Sequence, residues 1–217
     1  MDVETMKVGI LGSGDVGRAL GKGFVSRQHE VKIASRTPNS EKLMTWVNQV
    51  GRNASTGTFA DSAAFGDIIV LATNGSAIEA AIDLAKPQNF NGKLVIDVTN
   101  QLDFSRGPPP GMLYSPTDSL GQRVQRKLPS ARIVKCFNTV PNSQMVDPKF
   151  KDVEMMICGN DPAAKQQVIK VLKEFGWKGA IDIGGIENAG WLEAFVPLWA
   201  RVGMALNTWD HVFKVAR

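Results

Sequence analysis

Lys7-Val8-Gly9-Ile10-Leu11-Gly12-Ser13-Gly14-Asp15-Val16-Gly17 joins a short apolar run to a glycine loop and the start of an amphipathic stretch. The loop fits G-x-G-x-x-G, a pattern that is weak alone and credible when it lies directly between a strand and a helix. Each glycine then has a physical task. Gly12 permits the tight turn, Gly14 lets a pyrophosphate approach the backbone, and Gly17 lets helix and strand pack closely. Together with Ser13 and Val16 they form a dinucleotide-binding loop, whose helix offers unpaired N–H groups and its positive dipole end. Asp15 carries charge of the same sign as that anion, so it is expected to cap the helix rather than to touch the ligand. Val16, Leu20 and Phe24 recur every four residues and carry the helix to about Ser26.

Strand-like and helix-like segments alternate beyond the loop. Strands are expected at residues 30–34, 56–59, 67–71, 93–98, 132–137, 153–158 and 180–183. Helices are expected over residues 41–50, from Ser76 to Lys86, from Ser119 to Leu128 and after Pro162, with Asn39 or Ser40, Ser76 and Asp61 as capping residues. Residues 100–116, with the run Gly107-Pro108-Pro109-Pro110-Gly111, form the one long irregular segment. This order predicts an α/β doubly wound parallel sheet of the Rossmann, NAD(P)-binding type. Residues 1–217 read as a single domain: a dinucleotide-binding unit over 6–183 and a C-terminal helical extension over 186–215. Trp191, Phe195, Leu198, Val202, Leu206, Trp209 and Phe213 mark one bulky stripe of that helix, which either packs on its own sheet or joins two copies in a homodimer.

The end of the second strand discriminates between nicotinamide cofactors. An NAD site places an acid there to bind the ribose 2′-hydroxyl. Here Ala34-Ser35-Arg36-Thr37 follows the strand, with no acid until Glu41. Ser35, Arg36 and Thr37 offer hydroxyl and charge-assisted donors to a 2′-phosphate, so NADP(H) is the expected cofactor. The remaining contacts belong at the carboxyl ends of the other strands. That assigns Ala72, Thr73, Asn74, Thr99 and Asn100 to the cofactor, and Asn138 and Thr139 to a second ligand, although each of these could instead be a turn or capping residue. No metal site and no catalytic acid–base residue is expected: His29 falls at the wrong end of the sheet, and His211 on the terminal helix.

Composition narrows the partners. Hydrophobic residues are 43% and charged residues 21% of 217, an ordinary globular balance. No apolar run reaches the roughly 18 residues of a spanning helix, and Met1-Asp2-Val3-Glu4-Thr5 lacks a leader pattern. A cytoplasmic location with no membrane partner is therefore expected. Cys136 and Cys158 read as small buried hydrophobes rather than a redox pair. The net charge of +4 is mostly dispersed and has no aromatic–basic platform, so no nucleic acid partner is expected. One stretch stands apart: Arg123, Arg126, Lys127, Arg132 and Lys135 occur without an intervening acid, as a solvated helix face or an anion site.

The chain resembles the NADPH-dependent coenzyme F420 reductases (F420H2:NADP oxidoreductases). The resemblance rests on residues 7–17, on Ala34-Ser35-Arg36, on Asp97-Val98-Thr99-Asn100, and on Val134-Lys135-Cys136-Phe137-Asn138-Thr139, where Cys136 stands in place of the family's alanine. It implies an NADPH-dependent reductase with direct hydride transfer between nicotinamide C4 and deazaflavin C5, a reaction that needs orientation and exclusion of water more than a general acid. It also implies that the basic stretch after Gln122 meets the deazaflavin's acidic tail. A similar module occurs in membrane ferric reductases. The segment from Phe104 to Ser115 looks longer than the family's connection, which leaves a flavin or a quinone open as the small-molecule redox partner. Two other readings stay open: a non-catalytic NADPH sensor, and a small-substrate NADPH dehydrogenase, whose usual large helical domain has little room after Gly184.

Overall fold

Four runs, Val8–Leu11 within β1 (Lys7–Leu11), β4 (Ile68–Leu71), β5 (Leu94–Asp97) and Ile133–Lys135 within β8 (Arg132–Lys135), are buried throughout. Strands buried along their whole length belong at the centre of a sheet covered on both faces, and that is their place. The computed structural model describes residues 5–217. The opening residues 1–4, read above for a leader pattern, lie outside the described residues.

An eight-stranded sheet has the order β10-β9-β8-β5-β4-β1-β2-β3, completed by β2 (Glu30–Ala34), β3 (Ala54–Gly57), β9 (Glu154–Gly159) and β10 (Gly179–Asp182). β1 pairs in parallel with both β2 and β4, so the chain reverses its direction of winding there and the glycine loop sits at the switch. One core lies under α1 (Asp15–Ser26), α2 (Glu41–Val50) and α6 (Pro162–Glu174). The other lies under α3 (Phe59–Phe65), α4 (Ile78–Ala85), α5 (Leu120–Lys127) and α7 (Ala189–Ala205). The fold is thus the doubly wound α/β type read from the sequence.

Several details differ from that reading. First, β9 pairs antiparallel with β8 and carries β10 with it in parallel. A parallel return needs a crossover helix, and residues 136–153 contain only a single 3₁₀ turn, so the chain comes back alongside β8 in the opposite sense. Second, Asp61 is not an N-cap. Thr58 caps α3, and Asp61 three residues on returns a bond to the Thr58 N–H, completing a capping box. Likewise Asn74, not Ser76, caps the turn before α4. The proline-rich segment is also not wholly irregular, since β6 (Leu102–Asp103) and β7 (Gly111–Met112) close it as a small hairpin.

Third, the terminal helix ends at Ala205 instead of continuing to residue 215. The chain then folds back on α7: Thr208 N–H donates to Gly203, Trp199 Nε1 donates to the His211 carbonyl, and the His211 ring stacks on Trp199 at 4.7 Å. Leu206, Trp209 and Phe213 keep helical spacing by coincidence, because the aromatic tail packs on the same helix, Phe213 edge-on to Phe195 and Trp209 tilted against Trp199. α7 buries Leu192, Val196 and Ala200 against the body and leaves Trp191 and Leu198 exposed.

Candidate functional site

The carboxyl ends of β1, β2 and β4 open into one cleft of about 980 Å³. Gly12, Ser13, Gly14 and Asp15 line it from the first loop, Ser35, Arg36 and Thr37 from the second, and Ala72, Thr73 and Asn74 from the third. Gly12 has φ +123°, and a Cβ there would run into the Ala72 carbonyl, so only glycine brings the two loops this close. Val16 and Gly17 stand behind the cleft wall. A side chain on Gly17 would overlap the Gly12 carbonyl oxygen, whereas one on Gly14 would meet nothing within 4 Å. Gly14→Ala should therefore leave the stability of the ligand-free protein within about 0.5 kcal/mol of wild type while weakening NADPH binding. Gly17→Ala should lose about 1–3 kcal/mol to overpacking. Thermal unfolding beside nucleotide titration checks both; equal stability of the two variants would refute the division of labour.

Asp15 does not cap α1. The N-cap is Gly14, no side chain caps the helix, and Asp15 pairs with Arg18 at 2.5 Å. Arg18 also donates to the Ser13 carbonyl at 2.9 Å, so this pair braces the glycine loop and keeps the carboxylate engaged beside the anion-binding edge. The second loop is built as a turn, in which the Thr37 N–H donates to Ser35 Oγ at 3.1 Å. Arg36 is exposed and enters no ion pair among the described residues. Ser40 and Lys42 add a further hydroxyl and a second cation to the same wall. Sequence reasoning passed over Arg18, Ser40 and Lys42; the signal for Lys42 was its place in the first turn of α2, six residues beyond Arg36.

The other assigned residues do not line this cleft. Thr99 is buried and donates to Asp97 Oδ1 from both its N–H (2.9 Å) and its hydroxyl (2.6 Å). Asn100 and Asn138 are interlocked: Asn100 Nδ2 donates to the Asn138 carbonyl, and Asn138 Nδ2 to Asn100 Oδ1 and to the Leu192 carbonyl, each at 3.0 Å. The Thr139 hydroxyl faces Met155 Sδ. This polar layer adjoins the cleft, since a Cβ on Gly75, next to Asn74, would meet the Asn100 carbonyl. Phe137, just before it, adopts φ +64°, a left-handed conformation costly for a bulky aromatic residue and a recurrent mark of functional turns. Two buried oxygens find no partner among the described residues, Thr73 Oγ1 and Asn138 Oδ1. One lies on the cleft wall, the other in the polar layer behind it.

A family model described as NADP oxidoreductase, coenzyme F420-dependent, matches residues 7–101. The F420-dependent NADP reductase of Methanocaldococcus jannaschii is 28% identical over 203 residues, which cover 89% of this chain and 90% of that protein. A crystal structure from Arthrobacter sp. FB24, provisionally described as an F420-dependent NADP reductase, is 38% identical with a TM-score of 0.93 and covers 98% of this chain and 100% of that one. The chain belongs to the F420-dependent NADP reductase family. Metalloreductase STEAP3 of Rattus norvegicus is 27% identical over 198 residues, which span 90% of this chain and 37% of the metalloreductase. Among the described residues no helix is long and apolar enough to cross a membrane.

In this F420-dependent NADP reductase family member the basic stretch is not an open anion site. Arg123 pairs with Asp118 and Glu79 and stacks on Tyr114, Arg126 pairs with Asp118, and Lys127 pairs with Asp83. Arg132 donates to the Gly92 carbonyl, and Lys135 is wholly buried. α5 runs back towards the start of β8, which carries Arg126 and Lys127 away from the cleft. Cys136 and Cys158 belong to the cores on opposite faces of the sheet, so they cannot pair, and burial pushes both thiols up, Cys158 to about 12. His29 is buried at the start of β2, where Nδ1 accepts from the Met6 N–H and Nε2 meets Glu174 at 3.1 Å.

Proposed function

We propose that this protein is an NADP(H)-dependent reductase that passes hydride directly between the nicotinamide and coenzyme F420. One observation carries the reading: a single cleft joins the glycine loop to a corner furnished with Ser35, Arg36, Thr37, Ser40 and Lys42, with no acid at the end of β2. The fit to NADP(H) rests on the open face of Gly14, where a pyrophosphate has room, and on the partnerless Thr73 hydroxyl in the cleft wall. Gly12, Ser13, Gly14, Val16 and Gly17 form the pyrophosphate loop, and the Asp15–Arg18 pair braces it. Ser35, Arg36, Thr37 and Lys42 hold the 2′-phosphate. Ala72, Thr73 and Asn74 line the ribose and ring half, with Thr99 and Asn100 supporting it from behind.

When bound, NADPH supplies hydride from its nicotinamide. The protein's task is then to orient two rings and exclude water, and no general acid is asked for. Asn138 and Thr139 stand behind the acceptor side, where the buried Asn138 Oδ1 has no donor among the described residues. The β6–β7 hairpin carries exposed Phe104 and Leu113, apolar surface on which a flavin would compete with F420. The chain is proposed to act in the cytoplasm as a homodimer through the exposed Trp191 and Leu198 face of α7.

The decisive experiment incubates the protein with NADPH and, separately, oxidised F420, FMN, FAD and a quinone, and follows the nicotinamide absorbance. Turnover with F420 well above the others is expected. Tight NADPH binding without turnover on any of the four would replace this reading by a non-catalytic sensor.

A further inference from the structure

Lys135, Asp97 and Glu193 meet in the interior with no exposure at all: Lys135 Nζ lies 2.9 Å from Asp97 Oδ2 and 2.8 Å from Glu193 Oε1. Every remaining contact of the two carboxylates is to a donor. Asp97 Oδ1 takes the Thr99 N–H and hydroxyl. Glu193 Oε2 takes Gln101 Nε2 at 2.7 Å and the Leu120 N–H at 3.0 Å, and Oε1 takes the Gly121 N–H at 2.9 Å. No oxygen faces an acceptor that would hold a carboxyl proton. Two carboxylates against one ammonium therefore leave one surplus negative charge. The first N–H groups of α5 offset part of it, and Cys158 nearby is a neutral thiol that adds none.

Stability alone does not account for such a cluster, because a buried ion network is at best a weak stabiliser relative to apolar residues of the same volume. Its place is more telling. Asp97 and Lys135 end β5 and β8, the strands beyond β4 on the side of the switch opposite Arg36. Leu120, whose N–H binds Glu193, also packs on Gly75, the residue after the cleft-lining Asn74. The cleft thus has cations, Arg36 and Lys42, at one end and, at the other, a buried anion behind its wall with Gly75 and Leu120 between.

We infer that this surplus charge, held by the positioning residue Glu193, favours the oxidised, cationic nicotinamide over the neutral reduced ring and so favours hydride leaving NADPH. The inference rests on the NADP(H) reading above. When hydride departs with two electrons, the ring half of the cleft gains one positive charge and the acceptor one negative charge, which a solvent proton then neutralises. A fixed negative charge beneath the ring half is more favourable after that change than before it.

The test compares the dissociation constants of NADP+ and NADPH on the same protein samples. Glu193→Gln removes the surplus charge, and Glu193→Asp keeps it. The ratio Kd(NADP+)/Kd(NADPH) should rise about three- to tenfold in the first, the scale of one charge acting through protein, and stay within about twofold of wild type in the second. Any partly unfolded fraction scales both constants alike and cancels. A ratio unchanged or lowered in Glu193→Gln, or raised equally in both variants, would overturn the inference. Wild-type protein that binds neither nucleotide would overturn the NADP(H) reading itself.

Discussion

Arg36→Ala is expected to weaken NADPH binding about 10- to 100-fold, the scale of one or two charge-assisted hydrogen bonds, while NADH binding stays nearly constant. The guanidinium is exposed at the cleft corner and enters no ion pair among the described residues, so its loss leaves no orphaned partner in the protein. Ser35 and Thr37 form their turn without it. Isothermal titration with both nucleotides measures the difference. Equal weakening of NADPH and NADH would mean that Arg36 stacks on the adenine alone and that Lys42 carries the phosphate. Arg36→Lys should retain charge but not the planar fork, and should fall between the two.

Lys135→Met should lose about 3–5 kcal/mol of folding stability, because it strands two fully buried carboxylates without their cation. Urea denaturation of the two proteins gives the number, and a loss below about 1 kcal/mol would mean that water reaches the network. The pH dependence has a definite sign. Burial alone would push Lys135 down, but Asp97 and Glu193 hold its ammonium above the ordinary lysine value of 10.5. A cation with a raised folded value contributes its full stability below the unfolded value and loses it only as pH rises through the folded one. The contribution of Lys135 to wild-type stability should therefore be flat through neutral pH and be lost only in strong alkali.

The residues that line the cleft were legible because their determinants are local. A glycine loop, its strand and its helix are contiguous in sequence, and the Ser35–Thr37 corner follows the next strand at a known spacing. The rest of the site was not legible for the opposite reason. Glu193 reaches residues 101, 120, 121 and 135, and nothing in the apolar stripe of α7 marks it as a partner of Lys135. Thr99, Asn100 and Asn138 have the right types in the right order, yet their side chains are used to tie strand ends together. The basic residues after Gln122 look unopposed in sequence, since their acids, Glu79, Asp83 and Asp118, all come earlier in the chain. Periodicity failed at Leu206 for a different reason, because an aromatic tail folded back on a helix keeps the same spacing as one that extends it.

The reversal at β9 bears on how such a protein can diversify. Past β8 residues 136–153 run without a crossover helix, yet their apolar side chains stand in for one: Phe137, Met145 and Val153 are buried in the core, and Trp177 Nε1 and Asp210 tie down Met145, Gln144 and Lys149. Val146 packs over Gly23 of α1 and Asp147 pairs with Arg27, so exchanges at those positions disturb the helix layer. Only the exposed turn at Asn142 and Ser143 is open to change, which makes the β8–β9 connection a structural substitute for a helix and not a free loop.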